Sequence, residues 1–406
     1  MPKTDLIIVG SGILGLATAF LAYRQGRTVR IIDRSARPVG SSIQNFGHAC
    51  FTGQADEIQP LAMASRAGWQ EAAAATGIWA AETGTFAPAM TEPELHILQE
   101  FAAHRGSDQV QMLDAGEVAD AIGNPDLHAI GGAHLPLDMR VNPREAAPAL
   151  ATWLAREGVE FGWSTTVTEV AGGTVSTNRG DFHADQVVAC PGLGLSALFP
   201  AIADAHEVRI CTLVMSLIDR PQHLPSGFAM FTGTSMARYD GFAAMPGAAA
   251  LREDLAQREP ELVDAIANLM VTDIPGGLLI GDSHAYDLSP EPFIDEGIAN
   301  LLLDRATTLL GIEEPVVLQR WLGQYTNSTN TNLILERPDD QTTVAAVTSG
   351  VGMTLSFGIA GRILNDLPLD SGAGTGASAE SEPLAETPAT FTTSTPTADE
   401  VVMSAR

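Results

Sequence analysis

Three glycines close to the start of the chain have the spacing that binds a pyrophosphate. Gly10, Gly12 and Gly15 lie between a short apolar segment, Asp5–Val9, and an apolar pattern of helical period, Ile13–Arg24. The first glycine permits a tight turn, the second lets the backbone approach a phosphate, and the third lets the helix pack on the sheet. The start of the helix would offer unpaired N–H groups to the phosphates. This segment therefore predicts a dinucleotide site.

Further segments indicate which dinucleotide binds. The strand predicted at Val29–Ile32 ends on Asp33, whose carboxylate can accept hydrogen bonds from a ribose 2′-hydroxyl and would repel a 2′-phosphate. Near the other end of the chain, a strand at Thr343–Val347, a glycine turn and a helix at Met353–Leu364 follow one another. The start of that helix can stabilise negative charge on a reduced flavin, which a nicotinamide site does not need. The segment Val187–Gly194 is typical of a strand that returns to the same sheet, so we predict FAD rather than NAD.

Composition excludes several classes of protein. The 406 residues include 22 Lys and Arg against 49 Asp and Glu, a net charge of −27. This balance excludes non-specific nucleic-acid binding and a polybasic membrane surface. Lys3 is the only lysine, so no lysine inside the fold can form a Schiff base. The cysteines Cys50, Cys190 and Cys211 lie too far apart for a disulfide framework or a zinc cluster. We expect a cytoplasmic protein without membrane insertion and without a bound metal.

The predicted elements favour an α/β fold with two domains. One is a discontinuous, Rossmann-like FAD-binding domain, and the other is an α+β substrate domain with a mostly antiparallel sheet. Long helices are predicted at 92–122 and 246–270. The last residues are rich in Ala, Gly, Ser, Thr, Pro and Glu, which predicts disorder. We assign residues 1–85, 140–205 and 316–368 to the FAD-binding domain, 86–139 and 206–315 to the substrate domain, and 370–406 to a disordered tail.

The sequence up to about residue 368 resembles the D-amino-acid oxidase family of flavoproteins, in the branch that contains glycine oxidase and sarcosine oxidase. The matching motifs are IIVGSGILGL, GSS at 40–42, VNPREAAPAL, VVACPGLG, GGLLIGDS at 276–283 and TSGVGMTLSFG at 348–358. Two further segments, SIQNFGHACFTGQ and MARYDGFAAMPGAAALR, resemble more narrowly a bacterial subgroup linked to aminophosphonate breakdown. The resemblance thus implies an enzyme that oxidises an amine with FAD.

The resemblance also implies particular contacts with FAD. The first glycine turn would bind the pyrophosphate, the acid at 33 the ribose, and the serines at 41 and 42 the phosphates. Residues 47 and 48 would lie against the flavin ring, the backbone of residue 167 would pair with adenine, and residues 350–354 would meet the pyrimidine end of the flavin. The expected FAD-binding residues are Gly10, Gly12, Ile13, Leu14, Gly15, Asp33, Arg34, Ser41, Ser42, Gly47, His48, Val167, Gly192, Gly350, Gly352, Met353 and Thr354.

Two departures from the family pattern concern the chemistry. Glycine-oxidase relatives carry an arginine that pairs with the substrate carboxylate at the end of a Trp-x-Gly-x-Arg stretch, but here the stretch from Trp321 ends on Tyr325. A bidentate carboxylate clamp is therefore not implied. Sarcosine-oxidase relatives use a lysine for the reaction with dioxygen and a cysteine to hold the flavin covalently, and neither is present at the matching place. We expect non-covalent FAD, reoxidised by dioxygen or by another electron acceptor.

Five residues are candidates for contact with the substrate. Arg238 and Tyr239 follow each other among small residues, and a guanidinium with a phenol suits the oxygens of a phosphonate. His48, His284 and Tyr325 are candidates for adjusting the protonation of the amine. Each of the five has a plain structural alternative, as a solvated arginine, a core aromatic ring or a hydrogen-bonded buried histidine.

These residues support a hypothesis for the reaction and two alternatives. The hypothesis is an FAD-dependent oxidation of a small aminophosphonate, 2-aminoethylphosphonate carrying an N-methyl or a 1-hydroxyl group. Hydride transfer from the carbon beside the amine to the flavin would give an imine, which hydrolyses to an aldehyde. The first alternative is an oxidase or dehydrogenase for glycine, sarcosine or a D-amino acid, with Arg238 as the carboxylate partner. The second is a flavin-binding protein without turnover. The sequence leaves the oligomeric state open.

Overall fold

The computed structural model describes residues 4–366, so the predicted tail at 370–406 lies outside the described residues. The helices are α1 (Ile13–Arg24), α2 (Gln59–Thr76), α3 (Glu92–Arg105), α4 (Ala115–Ile122), α5 (Pro143–Arg156), α6 (Leu195–Leu198), α7 (Pro200–Ala205), α8 (Gly233–Met236), α9 (Asp240–Ala243), α10 (Ala248–Arg258), α11 (Pro260–Asp264), α12 (Glu296–Leu310) and α13 (Gly352–Asn365). The strands are β1 (Leu6–Val9), β2 (Val29–Ile32), β3 (His48–Ala49), β4 (Ala80–Ala81), β5 (Thr85–Ala89), β6 (Gln111–Leu113), β7 (Gly131–Leu135), β8 (Met139–Val141), β9 (Glu160–Gly162), β10 (Val167–Ala171), β11 (Thr174–Thr177), β12 (Gly180–His183), β13 (Gln186–Ala189), β14 (Val208–Ile218), β15 (Ala229–Phe231), β16 (Met270–Ile274), β17 (Gly277–Gly281), β18 (Ala285–Asp287), β19 (Val317–Ser328), β20 (Leu333–Asp339) and β21 (Thr342–Val347). Between residues 4 and 366, no helix combines the length and the apolar character needed to cross a bilayer.

A six-stranded sheet carries the glycine turn. Its order is β20-β21-β13-β1-β2-β9, and its neighbours run parallel except for the antiparallel pair β20–β21. Helices α1, α2, α5 and α13 cover one face, while the small sheet β10-β11-β12 and helices α6 and α7 cover the other. Burial on both faces explains why β1 is a continuous apolar segment and why β13 is apolar from Val187 onward. The predicted order of strand, turn, helix and strand near the start of the chain is confirmed.

A second, nine-stranded sheet faces the first. It runs β18-β14-β17-β16-β15-β5-β7-β6, with β19 paired to β14, and only β15–β5 is parallel. The chain therefore has the predicted mixed α/β fold with a mostly antiparallel second sheet. The sequence places residues 316–368, and therefore β19, in the FAD-binding domain. In the structure, β19 pairs along its length with β14 of the second sheet. Its first three residues are exposed and the next three are partly exposed, so its burial becomes clear only from its partner strand.

Two predicted helices are interrupted. The helix expected at 92–122 ends before Gly106, which has φ +84°, and a short strand precedes α4. Asp114 begins α4 with a capping box of its own, so a separate helix starts there. The helix expected at 246–270 breaks at Pro260, which begins α11 and restricts the backbone of the residue before it. The apolar spacing of both ranges thus spans several elements.

Candidate active site

A cleft opens between the two sheets at the glycine turn. It contains about 810 Å³ of empty space, which includes solvent at its open mouth. Ten of the seventeen residues expected to bind FAD line it, and all of them except Gly192 come from the segments that the resemblance places at the phosphates and at the pyrimidine end of the flavin. The lining residues are Gly12, Ile13, Leu14, Gly15, Ser41, Ser42, Gln44, Asn45, Cys190, Gly192, Leu213, Gln324, Tyr325, Thr326, Ala345, Ala346, Val347, Gly350, Gly352 and Met353.

The glycine turn has no space for side chains. Gly10 has φ +100°, and a Cβ there would lie 2.3 Å from the carbonyl oxygen of Cys190. A Cβ on Gly15 would lie 2.1 Å from the carbonyl oxygen of Gly10. Helix α1 begins at this turn without a side-chain cap from Gly12 and without an acidic residue in its first turn, while its Ile13 N–H donates to Ser42 Oγ at 2.8 Å. The turn thus presents backbone N–H groups and a hydroxyl at the start of a helix, which suits a pyrophosphate.

Asp33 lies behind the same turn. Its Oδ2 accepts hydrogen bonds from the backbone N–H and the hydroxyl of Ser11, both at 2.7 Å, and its Oδ1 accepts from the N–H of Ser35 at 2.7 Å. A carboxylate has about four acceptor positions, so one remains for a ribose hydroxyl. The side chain therefore anchors the turn as well as offering the expected ribose contact.

A second helix begins at the opposite end of the cleft. Helix α13 starts at Gly352 with no side-chain cap and no acidic residue in its first turn. A Cβ on Gly192 or Gly352 would meet nothing within 4 Å, so the cleft is open at both places. Gly350 has φ +79°, and a Cβ there would lie 3.2 Å from Cζ of Tyr325. Two uncapped helix starts in one cleft fit a dinucleotide whose pyrophosphate is negative and whose flavin becomes negative on reduction.

The other expected FAD residues lie outside the lining. Arg34 is exposed, and Val167 begins β10 opposite Thr177 in the small three-stranded sheet. Thr354 is buried in the first turn of α13. Gly47 has φ +65°, and a Cβ there would lie 1.9 Å from the carbonyl oxygen of Val141, so packing alone demands a glycine. Their contacts with FAD stay predictions.

The structure brings three of the five substrate candidates together beside the cleft. Nη2 of Arg238 lies 3.4 Å from the hydroxyl of Tyr286. The ring of His284 lies 6.3 Å from that of Tyr286 and 6.3 Å from that of Tyr325, which lines the cleft. Asp282 lies next to His284, with 3.8 Å between Oδ1 and Nδ1. We call these five residues, Arg238, Asp282, His284, Tyr286 and Tyr325, the substrate-side cluster.

Burial dominates the electrostatics of this cluster. It raises the pKa of Asp282 to about 8 against the opposing effect of Arg238, and it holds the pKa of His284 well below its usual range, helped by the same guanidinium. Burial also raises the pKa of Tyr325 well above the usual value. For Arg238, burial disfavours the charge, but Tyr286, Tyr325 and Asp282 outweigh it, so its pKa is raised. The cluster therefore contains a permanent cation and a neutral imidazole.

His48 lies in a different group, the His48 cluster, formed by His48, Cys50, Thr85, Asp138 and Arg140. Its Nε2 lies 2.7 Å from Thr85 Oγ1 and 3.6 Å from Asp138 Oδ2. Arg140 is fully buried opposite His48 on β8 and donates to the carbonyl oxygen of Gly84, and burial lowers its pKa to about 10. His48 does not line the cleft. This geometry gives the histidine a packing and hydrogen-bonding role.

Tyr239 lies between the two clusters. Its hydroxyl is 3.6 Å from Met270 Sδ, and its ring packs over Gly53. Burial raises its pKa well above the usual value, with Cys50, Asp138 and Asp282 adding to the rise. Although adjacent to Arg238 in sequence, it does not reach the cleft lining. The adjacent Arg–Tyr pair is thus divided between two environments.

Two residues of the substrate-side cluster escaped the sequence analysis. Asp282 and Tyr286 stand two positions before and after His284, which the sequence had singled out. In an extended segment, residues two apart share a face. The spacing of two residues between Asp282, His284 and Tyr286 is the signal in the sequence that indicates a shared face.

Comparisons with known proteins agree with this geometry. The profile of the DAO family, described as FAD dependent oxidoreductase, matches residues 5–367. Glycine oxidase from Geobacillus kaustophilus superposes with a TM-score of 0.71 at 23% identity, over 90% of this chain and 94% of its own. Iminodiacetate oxidase (IdaA) from Chelativorans sp. BNC1 superposes with a TM-score of 0.66 at 17% identity, over 90% of this chain and 98% of its own. Dithionite-reduced L-α-glycerophosphate oxidase from Mycoplasma pneumoniae, with FAD bound, superposes with a TM-score of 0.68 at 15% identity, over 90% of this chain and 94% of its own. No curated protein matches in sequence. The chain therefore belongs to the DAO family of FAD-dependent oxidoreductases, and FAD is its cofactor.

Proposed function

We propose that this enzyme oxidises the amine of a small molecule that also carries an anionic group, and that the substrate is an aminophosphonate, 2-aminoethylphosphonate with an N-methyl or a 1-hydroxyl group. One observation carries the proposal. Arg238 is a partly buried guanidinium beside the cleft, and among residues 4–366 no carboxylate lies within ion-pair distance of it. A guanidinium without an ion-pair partner keeps N–H donors for the anionic group of a ligand.

The residues that would hold FAD are those of the cleft. The glycine turn and Ser42 would meet the pyrophosphate, Asp33 the ribose, and the start of α13 the flavin. When bound, FAD accepts a hydride from the carbon beside the amine, and the resulting imine hydrolyses to an aldehyde and an amine. The protein contributes the orientation of the amine against the cofactor.

The side chains around Arg238 favour a tetrahedral anion. The guanidinium can donate to two oxygens, and the hydroxyls of Tyr286 and Tyr325 can donate to others. Tyr325 also stands where the resemblance expects the arginine that pairs with a substrate carboxylate. A fold neighbour named as a glycerophosphate oxidase acts on a molecule with a phosphate group, so a tetrahedral phosphorus anion is compatible with this fold.

His284 has a defined role in this arrangement. Its Nδ1 lies 3.0 Å from the carbonyl oxygen of Ile266, which can only accept, so Nδ1 carries the proton. In the neutral ring Nε2 is then an acceptor. A neutral imidazole can accept a hydrogen bond from the substrate without competing for its anionic group, so His284 orients the molecule between the guanidinium and the flavin.

An amino acid with a carboxylate is the second candidate. A guanidinium fork fits a planar carboxylate in two parallel hydrogen bonds. Two of the fold neighbours are named as oxidases of glycine and of iminodiacetate. On this hypothesis Arg238 replaces the family arginine, and Tyr325 is a neighbour of the carboxylate. The flavin-binding protein without turnover has no observation in its favour.

The test uses pairs of substrates that differ only in the anion. The holoenzyme is mixed anaerobically with N-methyl-2-aminoethylphosphonate or with N-methyl-β-alanine, and with aminomethylphosphonate or with glycine, and bleaching of the oxidised flavin band is followed. We expect bleaching by the phosphonate of the first pair, and phosphonoacetaldehyde as the product. Bleaching only by carboxylates would replace the aminophosphonate with the second candidate. No bleaching by any anionic amine would reject the function.

A further inference from the structure

Asp282 is a buried carboxyl group with an unused oxygen. The residue is 4% exposed, and its Oδ1 has no hydrogen-bond partner although it is shielded from solvent. Leaving a buried acceptor unpaired costs free energy, so such an atom in a native site calls for a partner that arrives with a ligand. Its backbone is held firmly, because the N–H and carbonyl of Asp282 pair with the carbonyl and N–H of Asn268.

The four groups facing this carboxyl come from three segments, since Arg238 and Tyr239 are consecutive. Arg238 follows α8, Tyr239 precedes α9, Cys211 lies on β14, and His284 is two residues along the same segment. Arg238 is the only permanently charged group of these four, and it does not reach ion-pair distance of Asp282. The thiol of Cys211 contacts Tyr325, which lines the cleft. Asp282 and Arg238 are thus close enough to interact electrostatically and both lie near Tyr325, which lines the cleft, although neither of them lines it.

We propose that Asp282 is the residue that binds the substrate amine, with Oδ1 accepting an N–H of the ammonium group and then its proton. This inference rests on the proposed function. In the proton step the N–H bond breaks, an O–H bond forms on Oδ1, and the electron pair stays on nitrogen. Nothing is oxidised or reduced, and the neutral amine is the form whose lone pair assists loss of hydride from the adjacent carbon. The proton leaves to solvent when the product leaves.

Different side chains therefore bind the amine and the anionic group of the substrate. Arg238 selects the phosphonate or carboxylate, and Asp282 selects the amine, so a molecule with both groups bridges them. Because burial raises the pKa of Asp282 to about 8, the carboxylate form that attracts an ammonium group increases as the pH rises through that value. We therefore expect the apparent second-order rate of flavin reduction, kred/Kd, to rise with pH and to level off above about 8.

The experiment compares Asp282→Asn with the wild-type holoenzyme, using the aminophosphonate that bleaches the wild type. We expect kred/Kd at pH 9 to fall about 100-fold, which is the lower end for loss of a proton acceptor, and the rise near pH 8 to disappear. Asp282→Glu should recover part of the rate and the pH dependence. Asp287→Asn, an exposed acid on the same segment, is the matched control and should behave as wild type.

A second measurement needs only the wild type. Ethylphosphonate lacks the amine of 2-aminoethylphosphonate, and binding of each is followed by its perturbation of the flavin spectrum from pH 6 to 9. Ionisation of Asp282 should weaken the binding of ethylphosphonate relative to that of 2-aminoethylphosphonate, so that the ratio of their Kd values changes by about tenfold or more. A ratio that stays constant with pH, or an Asp282→Asn variant that keeps the wild-type rate and profile, would overturn the assignment while leaving the function intact. A wild type that no anionic amine bleaches would reject both.

Discussion

The two ends of the active-site cleft are built from different parts of the polypeptide. The end proposed to bind the nucleotide is mainly backbone: glycines at 10, 12 and 15, and the uncapped starts of α1 and α13. The end proposed to bind the substrate consists of side chains from the β17–β18 segment, β19 and the segment after α8, which meet only in the folded protein. The first end leaves no room for a side chain at positions 10 and 15, whereas the second depends on the charges of a few buried groups. The two ends should therefore fail in different ways when they are changed.

Loss of a glycine should give the largest effect. In Gly15→Val the new side chain would begin 2.1 Å from the carbonyl oxygen of Gly10, so the turn cannot keep its shape. We expect the protein to be purified without FAD and to unfold at a lower temperature, with a loss of about 3 kcal/mol or more in the free energy of unfolding. The absorbance ratio of flavin to protein measures the first and thermal unfolding the second.

Gly361→Ala is the control for this substitution. It lies on α13, and its Cβ would meet only Leu21 at 3.9 Å, an ordinary contact. It should keep FAD and gain about 0.5–1 kcal/mol, because alanine favours a helix over glycine. A yellow, stable Gly15→Val protein would show that the turn is not the tightly packed element described above.

Removal of the guanidinium should affect the substrate end alone. We expect Arg238→Gln to keep FAD and the wild-type flavin spectrum but to raise the Kd of an anionic amine about 100-fold, since a hydrogen bond to a charged group contributes about 1.5–3 kcal/mol. Arg238→Lys should recover little, because an ammonium group lacks the fork. The measurement is anaerobic titration of flavin bleaching, with Arg252→Gln on the exposed side of α10 as the control. An unchanged Kd would place anion recognition elsewhere.

Replacement of the buried acid Asp282 should have a smaller effect on stability. Asp282→Asn should raise the free energy of unfolding although it lowers the rate of flavin reduction. The pKa of Asp282 is about 8 in the folded protein and near 4 in the unfolded chain, so between these values the folded state holds a proton that the unfolded state has lost. Stability from this group is thus lost as the pH rises from 4 to 8. Asp282→Asn should gain at least about 1.4 kcal/mol on the wild type between pH 5 and pH 8.

The stability of the two proteins is measured by urea unfolding at both pH values, with Asp287→Asn again as the reference. A gain that is equal at pH 5 and pH 8 would contradict the raised pKa of Asp282. A gain that appears together with the loss of flavin reduction would show a site that sacrifices stability for the binding of its substrate.

The last prediction is that FAD is bound non-covalently. Cys190 lines the cleft beneath the glycine turn, but burial raises the pKa of its thiol to about 12, which disfavours the nucleophilic thiolate. We expect acid precipitation to release all of the yellow colour into the supernatant. Colour retained in the pellet would show a covalent bond, and a Cys190→Ser variant would then test this residue as its site.

Sequence reasoning was most successful where the chemistry is local. The first strand, turn and helix are contiguous, and the requirement for glycine at position 15 follows from a distance within that unit. It was less informative where an element is defined by a distant partner: residues 317–328 carry no sign that β19 pairs with β14. The helix predicted at 92–122 failed for a related reason, since apolar spacing continued across Gly106 into a new strand and helix.

The substrate end shows the same division at the level of single residues. The sequence by itself determined the nucleotide fingerprint, the acid at 33, the helix start near 352, and the presence of Arg238, His284 and Tyr325 as chemically capable side chains. Only the tertiary structure decided that Arg238 turns toward Tyr286 while its neighbour Tyr239 turns toward Met270, and that His48 joins Thr85 and Asp138 instead of the cleft. A backbone motif carries its geometry within a few consecutive residues, whereas buried charges acquire their neighbours and their pKa values from strands that are far apart in the chain.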